Sequence, residues 1–533
     1  VNHEVEGEFD LAAVDIAVVA GYIVAILAIG FWVGRGKQSA DSYFLAGRRA
    51  VWPLVGFGLI AVNLSGTSYV GLAGAGYEEG IAVWNYEWMA AIVLAFFALF
   101  ILPFYLQTKI STAPEFLEKR YDHRSRKVFS VFTMFTAMFI DAAGAMFAGA
   151  ITLQLLFPGV SLSVLVIGMA LLGGVYVIMG GLRAVEITDT AQGILLLVAG
   201  GVIFGMVFDE IGASWSSVEG AAPEGGMTIA PPADNEFLPW PGIFTGVLWL
   251  GFYYWTTNHV AVQKVLSART VNHGRFGALF AGFLQLPLLF LLILPGLMGR
   301  EIYPDIENPD QIWQTLAFDF LPIGIRGLVL AALVAALMST LDSVLNGAAS
   351  LVTNDFVKEL RPHYSDRRLL IIGRSMVGVF MVIAALWAPQ IVEFPTIVEY
   401  FQSFLGAITM PVVVVFLGGI FWRRATAPAS FLTLVVGCPI GLAAFVANEV
   451  LGLIDIQFLY LTGIMLAFSV LLFVSASLAT TAPDRAEIRN VTWSRDRLRD
   501  DAASLRDTPR WRDYRVYAVA LVVVTLVALV PFL

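Results

Sequence analysis

Apolar runs long enough to cross a hydrocarbon core of about 30 Å, which takes roughly 20 helical residues, recur along nearly the whole chain. Read against the Gly, Pro and charged residues that interrupt them, they predict about fourteen helices, near 11–34, 52–75, 81–107, 126–157, 160–180, 187–208, 241–266, 275–299, 326–357, 368–390, 395–422, 428–448, 454–480 and 515–533. Polar residues inside these runs concentrate at two points, Asn63-Leu64-Ser65-Gly66-Thr67-Ser68 and Tyr253-Tyr254-Trp255-Thr256-Thr257-Asn258-His259. Each interrupts a span, and unwound backbone there exposes carbonyls. The pattern is that of an all-α polytopic membrane protein.

Composition sharpens this. Of 533 residues 58% are hydrophobic and 14% charged, against about 45–50% and about 25% in soluble domains. The net charge of −9 says less than its distribution. With the N-terminus outside, alternate loops carry the basic residues, from Arg35, Arg48 and Arg49 through Lys119–Lys127, Lys358–Arg368 and Arg423-Arg424 to the stretch from Arg485 to Arg515. Only Arg300 and Arg326 of the 32 Lys and Arg residues fall on the other side, the bias of a plasma or inner membrane protein with both termini extracellular or periplasmic. Outside loops are acidic, as at Glu78-Glu79. The acidic start from Glu4 to Asp10 is unlike a secretory leader, so the segment from Leu11 to Gly34 is expected to remain as a span. The region from Asp484 to Asp513, with helix-like content and mixed charge, predicts a solvated surface helix.

The interrupted spans divide the chain into two sets of five, 52–208 and 241–422, of opposite orientation because five is odd. An outside Gly/Pro-rich linker at 209–240 joins them. An outer tail, a peripheral helix and a loop occupy 1–51, and peripheral helices with a charged cytoplasmic segment at 481–514 occupy 423–533. Inverted repeats of this kind place a solute site near mid-membrane, where helices are broken.

Ionisable residues within spans cost about 2.5–3.5 kcal/mol on insertion scales, so each is a functional candidate: Glu87, Asp141, Asp189, Asp342 and, near a span end, Lys264. The stretch from Ala335 to Ser343 gathers Ser339, Thr340, Asp342 and Ser343 within two turns, and the i, i+3, i+4 spacing puts Ser339, Asp342 and Ser343 on one face. Hard cations take such oxygens. A Ser/Thr cluster of this sort also serves to join helices.

Several segments resemble the solute:sodium symporter family, in particular its sodium/glucose branch: Asp41-Ser42-Tyr43-Phe44-Leu45-Ala46-Gly47-Arg48, Tyr86-Glu87-Trp88, Gly180-Gly181-Leu182-Arg183-Ala184-Val185, Pro239-Trp240-Pro241-Gly242, Gln263-Lys264-Val265-Leu266-Ser267-Ala268-Arg269 and Ser339 to Asp355, ending near Gly418–Trp422. The resemblance implies a leucine-transporter-type inverted five-plus-five fold. It also implies a main sodium site from the carbonyls of Ala61, Leu64 and Ala336 with the hydroxyls of Ser339 and Thr340. A second sodium site would involve Asp189, Asp342 and Ser343, with Asp342 standing where relatives often have a hydroxyl. For the solute it implies hydrogen bonds from Asn63, Glu87 and Gln402, with Tyr254 as an aromatic gate. The sequence departs from the sugar carriers at the pocket lysine, here Gln285, at the outer gate, here Val398, and at Thr67-Ser68 after the break. Asp141 is placed to receive an amine or hydroxyl of the solute.

The expected function is sodium-coupled symport of a small polar solute, a sugar or polyol, by a monomer in the bilayer, through alternating access. The alternatives are another solute (sialic acid, an amino acid or a monocarboxylate) and a transporter-like sensor. An enzyme is not expected, because no histidine accompanies a candidate nucleophile. Nucleic-acid binding is not indicated. The lone Cys438 excludes an intramolecular disulfide or thiolate metal cage, and the five scattered histidines make no zinc motif.

Overall fold

The computed structural model describes residues 12–34, 48–108, 110, 112–179, 182–494, 505 and 509–533. Among them there is no β-strand, only a parallel bridge between Ala50 and Ala268. The longer helices, in chain order, are α1 (Ala13–Gly34), α2 (Trp52–Asn63), α3 (Gly66–Glu79), α4 (Asn85–Phe96), α5 (His123–Leu156), α6 (Leu162–Met179), α7 (Leu182–Glu210), α8 (Leu248–Thr257), α9 (His259–Leu266), α10 (Val271–Gln285), α11 (Ile325–Leu360), α12 (Asp366–Trp387), α13 (Ile397–Phe421), α14 (Ala427–Phe445), α15 (Phe458–Ala479) and α16 (Tyr514–Leu529). The described helices fall along the expected apolar segments, and those at the two polar interruptions are broken pairs. Nine described helices are long and apolar enough by themselves to cross a membrane. α10 bends by 40° into Leu289–Ile302 around Pro287, which cannot donate to the helical ladder.

The apolar surface is distributed inside out. α3, α5, α11 and α13 form the interior, whereas Leu171 of α6, Leu386 of α12 and Leu471 of α15 stand about 70% exposed, as lipid-facing side chains do. Small residues let the inner helices touch. A Cβ on Gly277 of α10 would lie 2.6 Å from Val55 Cβ of α2, and one on Gly56 would lie 2.9 Å from the Gly277 carbonyl oxygen. This close crossing carries the two helices side by side, so that Asn63 and Gln285, two turns farther along, come together.

Polar fastenings close the two ends of the bundle. At the basic end the Arg120 guanidinium donates to the carbonyls of Gly419 (2.6 Å), Trp422 (3.1 Å) and Ala425 (3.2 Å), satisfying the terminal carbonyls of α13. Buried Asp355 of α11 accepts from Arg126 (2.7 Å) and Ser130 (2.5 Å) of α5. The charged segment after α15 departs from the expected surface helix. Only Arg485–Ile488 is helical among its residues up to 494, and Val491 and Thr492 are buried. The Trp493 amide donates to Ile420 (2.7 Å), because this short apolar stretch gains more by covering the end of α13 than by extending a helix into water. At the acidic end Asp15 of α1 accepts from the Gly324 amide and Arg326 (2.6 and 2.8 Å), tying the peripheral helix to the start of α11.

Asp310, in the turn Pro309–Gln311 at the acidic end, is wedged between α3 and α13. Its Oδ2 accepts from the Ile397 amide (2.8 Å), and a Cβ on Gly74 would lie 2.9 Å from its Cα. Oδ1 is buried without a hydrogen-bond partner among the described residues. Burial pushes this carboxyl up to about 8, with the Ile397 amide pulling the other way. The unfolded chain loses this proton near pH 4. Between the two values the folded state therefore binds the extra proton, and stability falls as pH rises from about 4 to about 8. Asp310→Asn keeps an acceptor for Ile397 and no longer titrates. Its melting temperature, measured by scanning fluorimetry in detergent, is expected to exceed that of the wild type by a margin that widens towards pH 8; a constant margin would refute the assignment.

Candidate solute and ion cavity

The first break forms because α2 ends at Asn63 and α3 restarts at Gly66, with Leu64 and Ser65 in non-helical backbone (φ −84°, ψ 56° and φ −71°, ψ 165°). The carbonyls of the last turn lose their helical donors there. Side chains supply some replacements: the Ser68 hydroxyl donates to the Asn63 carbonyl and the Tyr254 hydroxyl to that of Val62 (3.2 Å). The second break lies at Asn258, whose Oδ1 caps α9 by accepting from the amides of Val260 (3.0 Å) and Ala261 (3.3 Å). The Tyr105 hydroxyl donates to the freed Thr256 carbonyl (2.8 Å).

The first break rests directly on α11. A Cβ on Gly66 would fall 2.8 Å from Leu337 Cδ2 and 3.1 Å from the Leu333 carbonyl oxygen, so only glycine allows this approach. Between them lies a cavity of about 250 Å³, of a size for a small solute, beneath the roughly 300–1,000 Å³ of pockets for drug-sized ligands. Twelve of the residues singled out from sequence line it: Ala61, Asn63, Leu64, Ser68, Glu87, Asp141, Tyr254, Ala336, Ser339, Thr340, Ser343 and Gln402. The Thr340 hydroxyl donates to the Ala336 carbonyl (3.0 Å), which leaves the hydroxyl oxygen's lone pairs open to a cation. Asn63 is the polar hub, its Nδ2 donating to Glu87 Oε2 and Gln285 Oε1, both at 3.0 Å.

Two of the residues singled out stand elsewhere. Gln285 is fully buried behind Asn63 and reaches the cavity only through that amide. Asp342 is buried off the cavity wall and accepts from Asn346 Nδ2 (2.7 Å). At roughly 100° per residue, the lining positions Ala336, Ser339, Thr340, Ser343 and Val344 form a stripe, and Asp342 falls about 60° beyond its Ser339 edge. Spacing alone was too coarse to separate it from Ser343. The side chain of Asp189 lies outside the described residues. Val398 lines the cavity with Phe401, whereas Gln192 and Thr136 line it without having been anticipated, since an isolated polar residue in an apolar run has no distinguishing signal. Lys264, singled out near a span end, also lines it, packed over Gly58.

Comparison with known proteins agrees with this architecture. Residues 43–437 match the Sodium:solute symporter family. A sodium/glucose cotransporter of Vibrio parahaemolyticus is 33% identical over 508 residues, covering 90% of this chain and 92% of that protein. The sodium/myo-inositol cotransporter 2 of Sus scrofa is 31% identical over 534 residues, covering 91% and 79%. Among solved structures, a Na+-coupled sialic acid symporter superposes with a TM-score of 0.75 at 22% identity, over 89% of this chain and all of that one. Mhp1, a nucleobase-cation-symport-1 family transporter, superposes at 0.53 and 13% identity, over 85% and 99%. These two share the fold. With more than half of its length matched, and with a broken helix set against a hydroxyl-bearing one across a central cavity, the chain belongs to the sodium:solute symporter family.

Proposed function

We propose that the protein imports a sugar or polyol together with sodium, by alternating access of two inverted five-helix repeats, 52–208 and 241–422, joined by an outer linker at 209–240. Fourteen spans, with both termini outside, put the basic end of the bundle in the cytoplasm. The observation that carries the reading is the contact of the first break with α11. It brings the backbone of Ala61 and Leu64 to the same cavity as Ser339, Thr340 and the carbonyl of Ala336, an all-oxygen set suited to a hard cation. A second ion would use Ser343 and Asp189, with Asp342 acting from outside the wall. Asn63, Glu87 and Gln402 offer donors and acceptors for hydroxyls, and Tyr254 offers a ring for the apolar face of a sugar. The glucose and myo-inositol cotransporters among the relatives support this solute class.

The sodium gradient would do work because sodium stabilises the conformation that receives the solute, each ligand favouring the state that the other binds. The test is uptake into proteoliposomes with and without an inward sodium gradient. Hexoses or inositol are expected to accumulate only with the gradient, and Ser339→Ala to raise the sodium requirement before it alters solute recognition. Sodium-independent accumulation would overturn the reading.

A further inference from the structure

We infer that the solute carries a protonated amine: the cavity suits a small polyhydroxylated ammonium compound, an amino sugar or amino cyclitol, whose ammonium group is received by Asp141. This rests on the symport reading of the same cavity and narrows its solute. Two carboxyls line the wall, and they differ in what satisfies them. Glu87 is held by the Asn63 amide, a neutral donor, with Gln285 behind it. Asp141, carried on the π turn Ala137–Ala142 of α5, faces the cavity and makes no hydrogen bond or ion pair with any described residue. Of the described lining residues only Lys264 is a cation, and it packs over Gly58, six residues before the break at Leu64 and so roughly 9 Å back along α2.

A carboxylate at mid-span is costly unless a positive group meets it, and a neutral hexose brings none. The surroundings of Asp141 discriminate between a bare ion and an ammonium. Ile140, Tyr253, Tyr254 and Phe401 line the same cavity. The Phe401 ring lies across Gly144, three residues along α5 from Asp141, where a Cβ would fall 2.5 Å from a ring carbon. Aliphatic carbon and ring faces offer a sodium ion few of the oxygens it needs, whereas an ammonium group is held well between a carboxylate and aromatic faces. The hydroxyls of the same solute then reach Asn63, Glu87 and Gln402.

The experiment is sodium-driven uptake into proteoliposomes of the full chain, at slightly acidic pH, of glucosamine against glucose, myo-inositol and N-acetylglucosamine, whose amide carries no charge. Glucosamine is expected to be preferred at least tenfold over each. Asp141→Asn is expected to bring the ratio of glucosamine to glucose uptake near unity, while Asp141→Glu retains the preference. If glucose or inositol accumulates with sodium and glucosamine is not preferred, the proposal fails and the symport reading stands. If no solute accumulates with the gradient, both fall. If Asp141→Asn leaves the ratio unchanged but shifts the pH profile of uptake, Asp141 carries a proton and the proposal is overturned.

Discussion

Replacing Gly66 by alanine is expected to raise the sodium concentration for half-maximal uptake by about tenfold, with solute affinity at saturating sodium much less affected. The added methyl would lie 2.8 Å from Leu337 Cδ2 and 3.1 Å from the Leu333 carbonyl oxygen. Leu337 is itself fully buried, so the strain falls on the separation of α3 from α11. Overpacking of this kind costs about 1–3 kcal/mol, and about 1.4 kcal/mol corresponds to a factor of ten in affinity. If the ion bridges the break and the hydroxyls of α11, widening that seam lengthens its bonds first. Gly58→Ala is the control. There a Cβ would meet Lys264 Cδ at an ordinary 3.4 Å, and alanine favours the helix by roughly 0.5–1 kcal/mol, so sodium dependence should be unchanged. Sodium titration of uptake decides the matter: equal behaviour of the two variants would separate the break from ion coupling.

Asn63→Ala is expected to raise the solute KM by at least tenfold and to lower the melting temperature. The substitution removes the one side-chain amide that donates to both Glu87 and Gln285. Leaving a buried acceptor unmet costs about 1–3 kcal/mol, and more for a charged group. Glu87→Gln separates charge from scaffold, because its amide oxygen still accepts from Asn63. It should therefore keep most of the melting temperature while changing solute affinity. Uptake kinetics and scanning fluorimetry on the same preparations read the two effects. A lower melting temperature with unchanged KM for Asn63→Ala would assign the hub to packing rather than to recognition.

Much of the cavity was legible in the residues because membrane insertion penalises polarity. Asn63, Ser68, Glu87 and Asp141 are visible in an apolar background, and they meet at one cavity with most of the other residues singled out. Gln285 was readable as polar but not as a supporting residue, since its place behind Asn63 depends on the Gly56–Gly277 crossing of α2 and α10. Asp342 shows the limit of helical periodicity: a rotation of about 60° separates the cavity wall from a buried bond to Asn346. Asp310 gave no signal, because a carboxylate in a loop of an acidic region is ordinary until α3 and α13 close around it.

The sequence by itself determined the helical class, the succession of hydrophobic segments and the positions of both breaks. Those follow from local chemistry: hydrocarbon demands that backbone groups be satisfied within each segment, and a cluster of Asn, Ser, Gly and Thr is where that demand is relaxed. The tertiary structure decided which exposed carbonyls face which hydroxyls, which carboxyl is partnered and which faces the cavity without a partner among the described residues. Those depend on helix crossings set by close glycine contacts between residues far apart in the chain, and periodicity along one helix carries no information about the face that its neighbour presents.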